Sequence, residues 1–315
     1  MWLLEASTFA KDIDNTFLFI VAVSAFFLIA ITVFMISCIF LYSKKRNATP
    51  TDVHGNTTLE IVWIIIPVVL TSFMFYYGWI DYIKTRQVPD NAMEIKVDAG
   101  MWWWKFTYPN GLEQGSDQGL TVPVNSPIYL PLHSVDVVHS FSIPAFRIKM
   151  DVMPKPEGAK LNYSWFEATK VGDFDIYCAE YCGINHAQMI TKVHVLPKAE
   201  FEKWYQQATN DLSSANTDGG KSNGKKLFAL KGCIGCHSTD GTKRVGPSLK
   251  GLSIGSNRKV VTAGKLRTIQ IDQSYLEQSL TKPNIDLVEG FTPIMPPQQL
   301  TDQERQALID YLLSL

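Results

Sequence analysis

Side chains that bind soft metal ions are concentrated in one short stretch of the chain. Two cysteines four residues apart are followed by a histidine and a methionine, and a further histidine lies upstream; these residues are His139, Cys178, Cys182, His186 and Met189. Thiolate, thioether and imidazole ligands suit copper. The two cysteines and two histidines would also make a tetrahedral zinc site. Met189 favours copper, and two thiolates on one loop can bridge a pair of copper ions.

A disulfide between Cys178 and Cys182 is the alternative for this stretch, with His186 and Met189 as bystanders. The chain has five cysteines, which do not make a disulfide framework. Four of them fall in two short motifs, and Cys38 lies in an apolar run, where we interpret it as a packing residue.

A second motif with redox chemistry is Cys233-Ile-Gly-Cys236-His237. The C-x-x-C-H pattern is typical of covalent c-type haem attachment, in which the two thiols bind the vinyl groups and the histidine becomes an axial iron ligand. Met295 is the only methionine after this motif and has prolines on both sides, so it is the expected second axial ligand. A zinc-binding or thiol-redox C-x-x-C is the alternative, but no downstream Cys/His pair completes a zinc site.

Two uncharged apolar runs near the N-terminus predict a transmembrane hairpin, with helices over about residues 15–43 and 60–82. At about 1.5 Å per residue, each helix is long enough to cross the roughly 30 Å hydrocarbon core. The loop between them carries Lys44, Lys45 and Arg46, and the positive-inside rule places this loop in the cytoplasm. Both termini and the domains after the hairpin are then expected on the periplasmic side of a bacterial inner membrane.

Residues 91–205 contain short β-type runs broken by glycine and proline, which predict an all-β sandwich or barrel. The expected strands are residues 94–97, 120–122, 128–132, 135–141, 164–167, 174–178 and 190–195. His139 would end one strand, and the cysteines would lie in a loop between two later strands. The metal ligands would therefore meet at one end of the sandwich.

The run Met101-Trp102-Trp103-Trp104 lies just before a turn signal. Alternation along a strand would place Trp102 and Trp104 on one face and Trp103 on the other, so the three rings cannot all be core residues.

The C-terminal third begins with a segment rich in Ser, Asn, Thr, Asp and Gly, which predicts a flexible linker over residues 206–223. A domain over 224–315 follows, with a short helix leading into the C-x-x-C-H motif. Thr301 and Glu304 fit the capping box of a last helix. Its apolar stripe consists of Leu308, Tyr311, Leu312 and Leu315.

The pattern C-x-E-x-C-G-x-x-H-x-x-M with its upstream V-x-H-S-F resembles the dinuclear CuA site of haem–copper oxidase subunit II. The resemblance implies that Cys178 and Cys182 bridge both coppers. His139 and Met189 would complete one copper; His186 and the backbone carbonyl of Glu180 would complete the other. The Glu180 carboxylate would reach a magnesium ion at the boundary with subunit I.

Other segments carry further implied roles. The pattern E-x-x-W-x-x-x-P that begins at Glu60 is similar to the second helix of subunit II, where the glutamate lies at the mouth of a proton channel of subunit I. A first-turn carboxylate favoured by the helix dipole is the alternative for Glu60. Trp102 is similar by position to the tryptophan at which a soluble cytochrome c passes its electron, and buried core is its alternative role. Gly246-Pro247-Ser-Leu249 resembles the segment that packs on the histidine side of class I cytochromes c.

The resemblance covers nearly the whole chain and implies a multidomain protein: a two-helix transmembrane hairpin (1–90), an all-β, cupredoxin-like Greek-key domain (91–205), the linker, and an all-α class I cytochrome c domain. The implied function is that of an electron-transfer subunit II of a bacterial respiratory cytochrome c oxidase. Electrons would pass from haem c to CuA and on to subunit I, where oxygen is reduced to water with proton pumping. No nucleophile–base pair or open metal position is evident, so the oxygen chemistry is expected on another subunit.

The implied partners are subunit I with its haem and CuB, other oxidase subunits, and cytochrome c or the cytochrome bc complex as electron donor. Charge is near balance, with 29 basic and 30 acidic residues, so no nucleic-acid-binding surface is expected. Two alternatives remain open: a CuA-containing subunit of a nitric oxide reductase, and a membrane-tethered copper chaperone. The C-x-x-C-H motif with Met295 argues against the chaperone.

Overall fold

Two long helices form the N-terminal part of the chain in the computed structural model, which describes residues 5–49, 54–156, 158–215, 221–298 and 300–315. Helix α1 spans Ala10–Leu41 and helix α2 spans Thr57–Arg86. Both are long and apolar enough to cross a membrane, and their apolar side chains are largely exposed. Asn56 caps α2, because its side chain accepts a hydrogen bond from the backbone N–H of Leu59.

Both helices extend beyond the expected bounds of 15–43 and 60–82 at the ends nearest the folded domains. Polar pairs join these ends: Lys84 Nζ lies 2.5 Å from Asp12 Oδ2, and Thr16 donates to Asp81 at 2.7 Å. The apolar runs defined the expected bounds, whereas these cross-helix pairs allow the helices to continue through charged residues.

The β-rich domain consists of eleven strands in two sheets. The strands are β1 (Met93–Glu94), β2 (Lys96–Gly100), β3 (Trp103–Thr107), β4 (Glu113–Gly115), β5 (Leu120–Pro123), β6 (Pro127–Ser134), β7 (His139–Ile143), β8 (Ile148–Val152), β9 (Asn162–Glu167), β10 (Gly172–Cys178) and β11 (Ile190–Leu196). One sheet has the order β1-β6-β2-β3-β4 with β9 also paired to β6, and the other has the order β5-β11-β10-β7-β8. The inner faces enclose a shared core that includes Trp104, Phe106 and Phe141.

Two details of this domain differ from the expectations. The expected strand over residues 135–141 begins only at His139, because Asp136 turns the chain by accepting hydrogen bonds from the N–H groups of Val137 and Met101. His139 therefore begins a strand and does not end one. Strand β3 starts at Trp103, so Trp102 lies before it and does not share a strand face with the buried Trp104.

The residues before α1 belong to the β-rich domain by their contacts. Ser7 forms a β-bridge with Ala168, and the ring of Phe9 packs edge-on against Trp165 at 4.7 Å. Arg147 makes a two-pronged ion pair with Asp14 of α1, at 2.7 and 2.9 Å. These contacts fix the β-rich domain to the end of the hairpin.

Helix α3 spans Lys198–Ala215 and covers the first ten residues of the expected flexible linker over 206–223. The helix is held by its apolar face, since Phe201 is buried and Trp204 packs against Tyr108 at 5.7 Å. Residues 216–220 lie outside the described residues, and helix α4 begins at Lys221. The composition of the segment indicated a linker, but tertiary packing extends a helix into it.

The C-terminal domain contains α4 (Lys221–Leu230), α5 (Cys233–Cys236), α6 (Gln273–Thr281) and α7 (Asp302–Leu312). Helices α4 and α7 cross in close contact at Gly224, where an added Cβ would lie 2.1 Å from the backbone oxygen of Ala307. The capping box of Thr301 and Glu304 is present at the start of α7. Leu308 and Leu312 of the expected stripe are buried.

A three-stranded sheet in the same domain departs from the all-α expectation. It consists of β12 (Asn257–Thr262), β13 (Lys265–Gln270) and β14 (Asp286–Val288), in the order β13-β12-β14. Ala263 and Gly264 join β12 to β13 with positive φ angles of 47° and 79°, as a two-residue hairpin turn of this kind requires. The β-branched run Val260-Val261-Thr262 before Ala-Gly was the sequence signal for this hairpin.

Candidate metal and haem sites

The structure brings the five predicted side-chain metal ligands together at one end of the β-sandwich. Strand β10 ends at Cys178 and pairs with β7, which places Cys178 opposite Phe141 and close to His139. The loop from Cys182 to Met189 then returns to β11. His139, Cys178, Cys182 and Met189 are buried, and His186 is half-buried.

The distances between donor atoms describe a compact cluster. Cys178 Sγ lies 3.8 Å from Cys182 Sγ and 3.8 Å from His139 Nδ1. Cys182 Sγ lies 3.5 Å from His186 Nδ1 and 3.8 Å from Met189 Sδ. The sixth predicted ligand, the backbone oxygen of Glu180, lies 3.2 Å from Cys178 Sγ. Among the described residues, one group of three His, Cys, Asp or Glu side chains has ligand atoms close enough to share a metal ion. This group is His139, Cys178 and Cys182.

The orientation of His139 is fixed from both sides. Its Nε2 lies 2.8 Å from Asp136 Oδ1, and the ring packs against Trp104 with centroids 6.3 Å apart. In the neutral ring, a hydrogen bond from Nε2–H to the carboxylate leaves Nδ1, which faces Cys178, as the nitrogen that can bind a metal ion. Metal-binding histidines are commonly oriented in this way by a carboxylate on the other ring nitrogen.

The two thiols influence each other's protonation. A hydrogen bond from the Cys182 thiol lowers the pKa of Cys178 to about 3, with further lowering by His139. The resulting thiolate and burial raise the pKa of Cys182. Burial opposes a charge on His139, but hydrogen bonds to Asp136 and Cys178 raise its pKa above the ordinary value. The site thus stabilises one negative sulfur without a metal ion, and cations at the cluster would stabilise the second.

The donor set fits a pair of soft metal ions. Each of the two neighbouring sulfurs has an imidazole beside it, and a carbonyl lies beside Cys178 and a thioether beside Cys182. Six donors exceed the four of a tetrahedral zinc site and suit two coppers. The Glu180 carboxylate, by contrast, belongs to an exposed residue. The magnesium expected there stays a prediction.

A second candidate site is an apolar cavity in the C-terminal domain. Cys233 and Cys236 lie on the single turn of α5, and both line this cavity together with His237 and Met295. Its wall is formed mainly by apolar side chains, among them Phe228, Leu249, Leu252, Leu276, Phe291 and Ile294. The four residues predicted to hold a haem thus surround one space.

Local contacts orient His237 as an axial ligand. Its Nδ1 donates to the Pro247 carbonyl at 2.8 Å, which leaves Nε2 free to bind iron. Gly246 lies directly against the ring, because an added Cβ would be 2.6 Å from His237 Cε1. Burial lowers the pKa of His237 and raises the pKa of Cys233 to about 12, so the imidazole is neutral. A neutral imidazole, two thiols, a thioether and an apolar cavity fit a covalently attached haem.

The remaining predicted residues lie in different surroundings. Trp102 donates from Nε1 to the Cys182 carbonyl at 3.1 Å and also lines the apolar cavity, so it lies between the two sites. Glu60 is exposed in the first turn of α2. His133 and His194, which had no expected role, pair with Asp98 and Asp173.

Two residues beside the sites were missed from the sequence. Asp136 precedes His139 by three residues, and an acidic residue at that spacing is a weak signal for an imidazole partner. Asn185 lies within the metal-binding loop, and its Nδ2 is 3.5 Å from Cys236 Sγ of the C-terminal domain. No sequence pattern indicates a contact between these two segments.

Comparison with known proteins identifies the family. Family models for the transmembrane and the periplasmic domain of cytochrome c oxidase subunit II match residues 4–77 and 112–196, and the cytochrome c model matches residues 222–315. Cytochrome c oxidase subunit 2 of Alkalihalophilus pseudofirmus is 32% identical over 318 residues, covering 96% of this chain and 86% of that protein. The chain belongs to the cytochrome c oxidase subunit II family.

A second relative agrees with this assignment, and one solved structure is also similar in sequence. Cytochrome c oxidase subunit 2 of Bacillus sp. (strain PS3) is 30% identical, over 86% of this chain and 78% of that protein. The crystal structure of the periplasmic domain of subunit II of cytochrome oxidase from Bradyrhizobium japonicum is 33% identical, covering 40% of this chain and 99% of that chain, with a TM-score of 0.37.

Membership of the subunit II family confirms the resemblance drawn from the motifs. It also confirms the expected architecture of two apolar helices, a cupredoxin-like β domain and a C-terminal cytochrome c domain. The chain is therefore a membrane-protein component of a haem–copper terminal oxidase, an oxidoreductase, and it associates with the oxidase core. Copper and haem binding follow from the two soluble domains.

Proposed function

We propose that this chain is the electron-transfer subunit of a respiratory oxidase that holds a dinuclear CuA centre and a covalent haem c. It passes electrons to subunit I, where oxygen is reduced to water with proton pumping. The observation that carries the proposal is a compact cluster of six donors next to a cavity lined by C-x-x-C-H and a methionine. Five donors are side chains, including the two cysteine sulfurs, and the sixth is the Glu180 backbone carbonyl.

His139 and Met189 would complete one copper, and His186 and the Glu180 carbonyl the other, while Cys178 and Cys182 would be shared by both. All of these donors lie beside the two shared sulfurs. His139 lies on the Cys178 side, and His186 lies on the Cys182 side. The Glu180 carbonyl also lies beside Cys178, and Met189 beside Cys182. The sulfurs of both cysteines and of Met189 belong to buried residues, so water is kept from the pair. A rigid, dry ligand set requires little rearrangement when the charge of the site changes.

The four proposed haem ligands all line one cavity. Cys233 and Cys236 would attach the haem, and His237 and Met295 would hold its iron. His237 is held in one tautomer by Pro247, and Met295 is confined by the prolines around it. When bound, the copper pair and the haem each supply reversible one-electron chemistry, and a Met/His ligand pair favours a raised haem potential.

The other expected roles belong to the same proposal. Trp102 is the residue through which electrons reach the copper cluster, which its hydrogen bond to the Cys182 carbonyl supports. Glu60 supplies protons to a channel of subunit I, and the Glu180 carboxylate binds magnesium at the subunit boundary. The soluble domains lie on the periplasmic side, and cytochrome c or the cytochrome bc complex is the donor.

Metal and haem analysis of the purified full-length chain, matured with c-type haem machinery and copper, tests this proposal. We expect two coppers and one covalent haem per chain, a mixed-valence copper EPR signal shared by two nuclei, and a methionine-ligated haem spectrum. One labile copper, or zinc, with cysteines open to thiol reagents would reject the CuA assignment and favour the chaperone. Replacing oxygen by nitric oxide as the acceptor of the assembled complex separates the oxidase from the nitric oxide reductase.

A further inference from the structure

The C-terminal domain rests directly on the end of the β-sandwich that carries the metal cluster. Gly232, just before Cys233, has a φ of 71° and lies so close to Trp103 that an added Cβ would be 2.5 Å from the Cβ of that residue. On the other side of the contact, a Cβ on Gly115 of β4 would lie 3.3 Å from the Ala229 carbonyl oxygen. Glycines on both surfaces thus allow the two backbones to approach closely.

The wall of the haem cavity includes side chains from the β-rich domain. Met101 and Trp102 line the cavity together with Cys236, His237 and Met295 of the C-terminal domain. An external electron donor would have to reach Trp102 at this surface. The C-terminal domain of the chain itself therefore occupies the place of such a donor.

A polar contact between Asn185 and Cys236 joins the two sites across this surface. Asn185 Nδ2 lies 3.5 Å from Cys236 Sγ, and Asn185 is only 7% exposed. A sulfur in a thioether bond to haem has no hydrogen to donate and can only accept, so the amide is the donor in the mature protein. Asn185 is also the residue immediately before His186. Asn185 therefore contacts the haem-bearing Cys236 with its side chain and is joined through its backbone to the metal ligand His186.

We propose that Asn185 is a positioning residue. Its contact with Cys236 fixes the position of the C-terminal domain on the metal-binding loop, so that the haem-bearing sulfur faces the copper ligands. This inference rests on the proposed electron-transfer function. The docked domain and an external donor exclude each other at Trp102, so electrons from outside enter through the haem of this chain. The alternative is that apolar packing of Trp103 alone fixes the domain and that Asn185 merely fills space.

The test compares Asn185→Leu with a control on the same loop, Gln188→Leu, in the full-length chain carrying both cofactors. Gln188 is exposed and its replacement leaves the contact intact. Pulsed EPR measures the distance distribution between the oxidised haem and the copper centre, and hydroxyl-radical footprinting measures the exposure of Trp102 and Met101. Haem and copper spectra of each variant report whether both sites have formed.

With Asn185→Leu we expect both spectra to be kept, a broader distance distribution and greater labelling of Trp102. The ratio of docked to undocked molecules should fall roughly fivefold, as expected for the loss of one hydrogen bond. The Gln188→Leu variant should match the parent. A distance distribution and footprint of Asn185→Leu equal to those of the parent would overturn the inference.

A second variant protects the test against misfolding of the loop. Trp103→Ala removes the surface on which Gly232 rests and should release the domain in the same two measurements. If Asn185→Leu loses its copper spectrum, an unchanged footprint in Trp103→Ala rejects docking at this surface. If that footprint changes, Asn185→Asp decides, because it keeps the size of the side chain and removes the amide donor. Greater labelling of Trp102 in Asn185→Asp supports the inference, and labelling equal to that of the parent overturns it in favour of Trp103 packing alone. Absence of the copper or haem spectrum in the parent chain would instead reject the proposed function itself.

Discussion

The half-buried carboxylate of Asp136 pairs with the buried imidazole of His139, with Oδ1 2.8 Å from Nε2. Asp136 is in turn fixed by the backbone N–H groups of Met101 and Val137, at 2.7 and 2.6 Å. The hydrogen bonds from His139 and these N–H groups outweigh the effect of burial and hold the pKa of Asp136 below its ordinary value. The carboxylate is therefore ionised and sets the direction of the metal-binding nitrogen.

Replacement of Asp136 should weaken the copper site without removing a ligand. In Asp136→Ala, Nε2 of His139 loses its acceptor and the ring can rotate, so we expect copper affinity to fall about 10–100-fold. The measurement is copper retention during titration with a chelator, together with the EPR spectrum of the bound copper. Asp175→Ala, an exposed carboxylate on the neighbouring strand, is the control and should retain copper like the parent. Equal retention in Asp136→Ala would show that the pair does not orient the ligand.

Gly246 should be essential for the histidine side of the haem site. The Cβ of Gly246→Ala would lie 2.6 Å from His237 Cε1 and 2.8 Å from Nδ1, so the ring must move away from the Pro247 carbonyl. We expect weaker axial ligation, seen as loss of the low-spin haem spectrum and a lower yield of covalent haem. Gly235→Ala is a matched control inside the C-x-x-C-H motif, because nothing lies within 4 Å of its added Cβ. A normal spectrum in Gly246→Ala would contradict the close approach.

Much of the candidate sites could be predicted because their residues form contiguous motifs. Cys178, Cys182, His186 and Met189 lie within twelve residues, and their types alone restrict the chemistry. His139 is separated from Cys178 by 38 residues, so its place in the cluster was inferred from its residue type and the predicted strands, and the family resemblance implied the same. Asp136 and Asn185 act through partners that only the folded chain brings close, and neither residue type is distinctive.

The fold could be predicted in outline but not at its boundaries. Apolar runs predict the hairpin, yet the helices continue past these runs, where Asp12 pairs with Lys84 and Thr16 with Asp81. The segment after Tyr205 has the composition of a flexible linker. Its first part is nevertheless helical, because the helix packs against the β-rich domain. Local composition carries no information about such tertiary contacts.

The ion pair of Arg147 with Asp14 should stabilise the attachment of the β-rich domain to the hairpin. Both side chains are 19% exposed, and the guanidinium makes two charged hydrogen bonds. Arg147→Ala should lower the free energy of unfolding by about 1–3 kcal/mol, measured by denaturant titration in detergent. Arg147→Lys should recover only part of this lost stability, since an ammonium lacks the two-pronged geometry.

The control is Lys149→Ala, which breaks an exposed ion pair with Asp151. We expect it to change the free energy of unfolding by less than about 1 kcal/mol. Similar losses in Arg147→Ala and Lys149→Ala would deny Arg147 this role.

Asp286 should make the stability of the C-terminal domain sensitive to acid. Its side chain is only 6% exposed, and burial alone would raise its pKa. Hydrogen bonds from Thr262, from Arg267 at 2.8 Å and from Gln278 at 2.7 Å outweigh burial and hold the pKa below the ordinary value of 3.8. The ionised carboxylate therefore contributes its full stabilisation above the ordinary pKa, and this contribution is lost as the pH falls through the lowered pKa of the folded state.

An Asp286→Asn variant isolates this contribution, because it keeps the shape of the side chain and removes its charge. We expect the variant to be less stable than the parent at neutral pH, and the difference to shrink as the pH falls below about 4. Thermal unfolding of the haem-loaded chain across this range, followed by the haem absorbance, is the measurement. Glu289→Gln, which changes a half-exposed carboxylate 3.9 Å from Lys259, is the control and should leave the pH profile of the parent unchanged. A constant difference between Asp286→Asn and the parent at every pH would mean that the carboxylate acts through its shape and not through its charge.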